Sequence, residues 1–451
     1  MRRTWIATIA ITATLFGFAR SASAQAWLSN RALGEGRGIR VGNFELHPGL
    51  GAEVGYDTNV FASPNSSMAT RPLGAVRLRI TPSFAVSTLG QQRTAGATPQ
   101  TNFRFYVSST YHRFVPLDGT VTEMDRVMNA SNFGVNSGVR VELFPHRNWT
   151  FAVSDDFARI VQGSADYGVS LSQFNRIQNR AGLALQFNPN SGVLGFSLSY
   201  MNHLEFFERS DVSFYSYMAN EITFANRWRF LPQTAFVFDA SIIPTFYFNN
   251  GGAPLALSPS HPMRARFGLN GLFSERFGLL AMVGYQGTFY ERGDNADTVI
   301  FTLEARYLID QRSTFLGGVA RDIQHALVGG FNIRNRLYVD YSHNFGGRFL
   351  LSIRSSGGIM EYGCLTDPGG ACALPGGRIS GGGVDPNSGR FTTYRIDGTL
   401  FGEYRPTDWF GVNLTTSLST NLGDVNFQSG AMALPVTWLK FEAYLGLRLS
   451  I

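Results

Sequence analysis

Lysine is nearly absent from this chain of 451 residues: Lys440 is the only one, and the rest of its 38 basic side chains are arginines. Charge as a whole is sparse. Asp, Glu, Lys and Arg make up 16% of the residues, against about 25% in ordinary soluble domains. Long apolar runs are missing too. Beyond residue 24 no run of 18 or more apolar residues occurs, which excludes a membrane-spanning helix there. Cysteine is limited to Cys364 and Cys372, both within YGCLTDPGGACALPGG. Two cysteines exclude a disulfide-built scaffold, and a metal site needs more ligands than the pair supplies. In an oxidising compartment they read as a small loop-closing disulfide. HExxH, GxSxG and a phosphate loop do not occur. His203 shares a face with Glu205, and Asp340 with Ser342, but no catalytic motif surrounds either pair. No enzyme, metal or cofactor is expected; an outer-membrane hydrolase is the minor alternative.

The chain opens MRRTWIATIAITATLFGFARSASA. A charged start, a short apolar run and the small-residue site Ala22-Ser23-Ala24 predict a secretory signal peptide over 1–24. Residues 25–42 then form a short periplasmic segment, and 43–451 remain for the fold. The net charge of +6 invites a nucleic-acid reading, but export argues against it.

Aromatic residues are abundant, at 14% with 38 phenylalanines. They fall into a pattern. In FELHPGLGAEVGYD, residues 44–57, Phe44, Leu46, Leu50, Ala52, Val54 and Tyr56 lie on one face. Glu45, His47, Glu53 and Asp57 lie on the other. A period of two marks a strand with one greasy and one wet face. Fourteen residues is long for a soluble strand and fits a tilted strand crossing a bilayer. The pattern recurs through about 18 segments, ending with Leu439, Phe441, Leu445, Leu447 and Leu449 against Lys440, Glu442 and Arg448.

Short and long connections alternate along the chain. Tight ones fall near Pro145, Pro189, Pro232, Ser274, Gln311, Gly346 and Pro406; long ones cover 58–74, 116–126, 163–173, 249–261, 291–297, 363–389 and 423–435. That rhythm is expected of bacterial barrels, with short periplasmic turns and long outer loops. The predicted fold is all-β: a transmembrane antiparallel up-and-down barrel of about 18 strands with both termini periplasmic, in the cell outer membrane. The connection 88–101 breaks the rhythm. Residues 322–332 resist division, so 16 strands is the alternative. A secreted sandwich or propeller is the competing class. Nothing in the outward face marks a subunit contact.

A barrel of this size encloses water. The predicted inward face carries Arg77, Arg79, Arg104, Arg140, Arg227, Arg229, Arg264, Arg266, Arg306, Arg336, Arg348, Arg354 and Arg448, with Glu45, Glu53, Glu142, Glu205, Glu304, Asp340 and Glu442. Two readings stay open: a salt-bridged ladder that stiffens the wall, or a positive field favouring anionic solutes. Tyr106, Tyr290, Tyr338, Tyr394 and Tyr444 also fall on this face, as a sugar track or as part of a rim girdle. Loops 58–74 and 363–389 are the candidates for a constriction.

Residues 43–61, NFELHPGLGAEVGYDTNVF, resemble the outer-membrane barrels called beta-barrel porin 2. The cues are a Pro-Gly within the first strand and its ending in Tyr56, Asp57, Asn59, Val60 and Phe61. Some members are similar to the barrel components of exopolysaccharide export systems. The resemblance implies a conduit for a secreted polysaccharide, working with a periplasmic polysaccharide-export protein and seated in outer-membrane lipid. The alternative is a general diffusion porin for small solutes, anionic ones among them.

Overall fold

The structure is a computed structural model. It describes residues 38–63, 71–89, 100–161, 175–189, 192–208, 210, 213–248, 258–291, 295–326, 330–363, 373–374, 377–380, 383–385, 389–429 and 432–451. The expected signal peptide and the Cys364–Cys372 disulfide lie outside the described residues.

Eighteen long strands form one antiparallel ladder. The first six are β1 Phe44–Asp57, β2 Ala75–Thr88, β3 Thr101–Pro116, β4 Asn132–Leu143, β5 Trp149–Ile160 and β6 Arg176–Phe187. Next come β7 Leu194–Phe207, β8 Tyr217–Leu231, β9 Thr234–Ile242 (continued as Thr245–Tyr247), β10 Ser260–Leu272, β11 Phe277–Tyr290 and β12 Ala296–Leu308. The last six are β13 Ser313–Ala326, β14 Gly330–Phe345, β15 Phe349–Tyr362, β16 Phe391–Tyr404, β17 Phe410–Leu422 and β18 Trp438–Ser450. Each pairs with its sequence neighbour, and β18 returns to pair with β1 from Gly49↔Ser450 to Asp57↔Glu442. The ladder therefore has no free edge, as a membrane without water to satisfy one demands. Among the described residues no helix is long and apolar enough to cross a membrane; the chain crosses with strands.

Period two decides which face each residue takes. On β1 the odd residues Gly51, Glu53 and Asp57 are buried while Ala52, Val54 and Tyr56 are exposed. The same split runs around the wall. Val299, Leu337 and Leu445 are each more than half exposed, an arrangement that is costly in water and stable in acyl chains. Outward aromatics gather near the ends. Trp149, Trp228, Phe349 and Trp409 stand at the short-turn end, and Tyr56, Tyr111, Tyr200, Tyr285 and Tyr394 toward the long-loop end. Such girdles sit at membrane interfaces. The chain is thus a multi-pass β-barrel of the outer membrane.

Two expectations are corrected here. Tyr394 faces out, on the alternate register from buried Thr393 and Arg395. Arg348 lies in the β14–β15 turn, where its N–H donates to the Phe345 carbonyl at 3.2 Å, so it lines no wall. The strand count is 18, because residues 322–326 end β13 and residues 330–332 open β14. A short strand, Ile39–Val41, also pairs with β1 ahead of the barrel.

Candidate functional site

The inner wall falls into two electrostatic sectors. Along β1, β2, β3, β16 and β18 the charges are matched. Arg79 meets Glu53 at 2.8 Å and lies over the Tyr444 ring at 3.6 Å. Arg77 reaches Glu442 at 3.3 Å and donates to His112 at 2.8 Å. Lys440 Nζ sits 2.8 Å from Asp57, and Arg448 and Arg405 share Glu403 at 2.5 and 2.8 Å. Close strands and buried charge leave no other stable arrangement here, since an unpaired buried ion is far costlier than a paired one.

The facing sector is less balanced. Arg264 and Arg266 on β10 both meet Asp239, at 3.6 and 3.1 Å. Arg227 and Arg229 on β8 and Arg306 on β12 make no ion pair among the described residues. Arg104, Arg140, Arg336 and Arg354 also lie on the inner face; Arg140 pairs with Glu142 at 2.7 Å and Arg354 with Asp340 at 2.7 Å. Glu45 lies on that face too, 3.7 Å from His47. Three inward tyrosines are committed: Tyr106 donates to Asp156, Tyr338 to Glu304 and Tyr444 to Glu442, at 3.0, 3.0 and 2.8 Å.

The clearest feature of the lumen comes from the segment that resists division in the sequence. The β12–β13 ladder stops at Phe301↔Arg321, while β13–β14 pairing continues to Ala326↔Gly330. Freed from β12, the hairpin end bends inward. Gln286 of β11 takes the place of the lost strand. Its amide donates to the Ile323 carbonyl at 2.9 Å and its carbonyl accepts the Ile323 N–H at 3.2 Å. Ile323, Phe331 and Ile333 pack on Ala296 and Tyr290. His325 stacks on Tyr217 of β8 (centroids 5.0 Å apart, 15° between planes) and lies 2.5 Å from the Tyr247 hydroxyl of β9. The hairpin thus reaches the wall five strands away. On its other side Ala326 joins Tyr362, Phe391, Val425 and Val436.

A second inward element closes over β1–β4. The helix α1, Val121–Met128, starts at a capping box in which Thr120 and Glu123 bind each other's backbone N–H groups. Its Val127 is buried with Val60, Phe61, Leu73, Ala75 and Phe114, and Arg126 lies 4.2 Å over the Phe61 ring. Val60, Phe61 and Leu73 of loop 58–74 thus pack with this helix, while residues 64–70 lie outside the described residues. Most of 363–389 lies outside the described residues. The hairpin and the helix are two elements that sequence reasoning missed, as is a small antiparallel sheet of Ala373–Leu374, Gly377–Ser380, Asn426–Ser429 and Met432–Pro435; the Thr120-x-x-Glu123 spacing could have signalled the helix.

Arg71 donates to Glu123 at 3.1 and 3.0 Å, and the Thr120 N–H donates at 2.8 Å. The Arg71 bonds first, then the Thr120 N–H, hold the Glu123 carboxyl down at about 2 against an ordinary 4.5. A lowered carboxyl supports the fold above its ordinary value and loses that support as pH falls through its folded one. The helix should therefore stay docked at pH 4 and loosen toward pH 2. Pepsin cutting within 120–128 is expected only near pH 2 for the wild type, and already at pH 4 for Glu123→Ala. Equal cutting of both at pH 4 would count against the clasp.

No family model matches the chain and no curated protein matches it. Among solved structures it is similar to the FrpB iron transporter from Neisseria meningitidis (F5-1 variant, apoprotein), with 9% identity, 92% of this chain and 82% of that one covered, and a TM-score of 0.45. Pseudomonas aeruginosa OpdQ is similar at 9% identity, 91% and 98% coverage and a TM-score of 0.45. Acinetobacter baumannii OccAB4 is similar at 10% identity, 90% and 98% coverage and a TM-score of 0.44. The class itself, a transmembrane β-barrel, rests on the closed ladder and the apolar outer wall.

Proposed function

We propose that this barrel is a passive channel for small anionic solutes. One observation carries the reading: Arg227, Arg229 and Arg306 face the lumen without an ion pair among the described residues, beside Arg264 and Arg266, which both meet Asp239. Unmatched charge on low-dielectric walls focuses a field along the path and concentrates counter-ions in it. The matched sector serves as the rigid part of the wall. In planar bilayers under a potassium chloride gradient, the reversal potential is expected to report chloride preference. Arg227→Gln combined with Arg229→Gln should move it toward zero. A cation-preferring channel, or a double variant with unchanged selectivity, would remove this reading.

Export of a secreted polysaccharide with a periplasmic partner is the second reading, and the resemblance of residues 43–61 is its support. A sugar track needs free aromatic faces and hydroxyls, and the inward tyrosine hydroxyls described above are engaged with carboxylates. That favours the small-solute channel. Loss of surface polysaccharide on deleting the gene would reverse the preference.

A further inference from the structure

The outer wall carries a polar stripe where its neighbours meet acyl chains. On β5 the inward residue is Asp156, which receives the Tyr106 hydroxyl, so Asp155 faces out. It sits between outward Val153 and Phe157 and pairs across the ladder with Val139 and Ala181. Asn179 of β6 donates to Asp155 Oδ1 at 2.7 Å. Across β7 and β8, Asn202 Nδ2 and the Tyr200 hydroxyl donate to Asn220 Oδ1 at 2.9 and 2.8 Å. Apolar outward residues flank the stripe on both sides: Leu183 and Leu198 toward the turns, Leu204 and Phe206 toward the loops.

Depth excludes the lipid headgroup as the partner of the carboxylate. Arg159, four residues up β5, pairs with Glu208 of the β7–β8 connection and marks the interface. A strand rising about 3.3 Å per residue at a tilt of about 40° puts Asp155 roughly 10 Å below it. Acyl chains cannot hydrogen-bond a carboxylate, and ionisable groups at this depth are rare unless something pairs with them. Two side-chain atoms of the stripe have no hydrogen-bond partner among the described residues: Asp155 Oδ2, an acceptor, and Asn220 Nδ2, a donor. One face thus offers both halves of a hydrogen bond, as a self-complementary contact requires.

We propose that the β5–β8 outer wall is where this barrel associates with a second copy of itself in the membrane plane. The contact is independent of what passes through the lumen. Ala181, which pairs with both Asp155 and Asn202, lies at its centre, and outward Ala443 on β18 lies far from it. Isolated outer membranes bearing Ala181→Cys or Ala443→Cys are oxidised, with the unsubstituted chain as the blank for Cys364 and Cys372. A crosslinked band of twice the chain mass is expected for Ala181→Cys alone, and adding Asp155→Leu should weaken it at least severalfold. No band at Ala181→Cys, or equal bands at both positions, overturns the proposal. Heat denaturation of Asp155→Leu gives a second reading. A lower melting temperature fits a lost contact; a higher one, from a carboxylate removed from lipid, overturns it.

Discussion

Replacing Lys440 with methionine is expected to weaken the barrel by about 3–5 kcal/mol, the usual result of removing one partner from a buried ion pair. The residue left behind explains the size. Asp57 is fully buried and accepts from Lys440 Nζ at 2.8 Å and from the Asn59 N–H at 3.0 Å. Across the ladder it faces a second acid, Glu442, which Lys440 also neutralises at 3.6 Å. Methionine keeps the length of the side chain and removes only the charge. The measurement is the urea midpoint of barrel refolded in detergent. Adding Asp57→Asn should recover most of the loss, since the orphaned charge is then gone. A Lys440→Met midpoint equal to the wild type would sink the argument.

Gln286→Ala is the second large effect, and it is read in conductance. The Gln286 amide satisfies both the N–H and the carbonyl of buried Ile323. Without it two buried backbone groups stand open, at about 1–3 kcal/mol each. That lowers the ratio of docked to undocked hairpin by at least roughly tenfold. His325 then has less to hold it against Tyr217 and Tyr247. Single-channel records of the variant should show a second, larger open level that the wild type lacks. Identical unitary levels would mean that the hairpin does not shape the path.

The wall was legible because membrane strands must alternate, and nothing in the chain overrides that demand. Residues 322–332 were not, because the inserted hairpin has protein on both faces. Ile323, His325 and Ala326 serve neither lipid nor water, so no period marks them. Facing direction could be read for Arg77 or Arg264, yet their partners could not. Glu442 lies 365 positions from Arg77, and only the closure of the ladder brings them together. Tyr394 failed for a simpler reason: a girdle residue and a lumen residue look alike when a strand's parity is placed one residue off.

The segment that carries the family resemblance has a structural task. Asp57 binds Lys440, and Asn59 donates to the carbonyls of Ser63 and Leu439 at 2.8 and 3.0 Å. Val60 and Phe61 pack with Val127 of α1. The residues 56–61 therefore report how the cylinder is joined, and say little about its cargo.

That join links positions 383 apart in sequence, as in the Thr58 N–H bond to the Phe441 carbonyl at 3.0 Å. A contact of such separation forms late, after the loop-closing entropy of the intervening chain has been met by local hairpins. Until then two bare strand edges stand open to any neighbouring sheet. Salt that weakens the Asp57–Lys440 attraction should slow this final zippering and lengthen the life of the unsealed cylinder, the stage most open to misassembly.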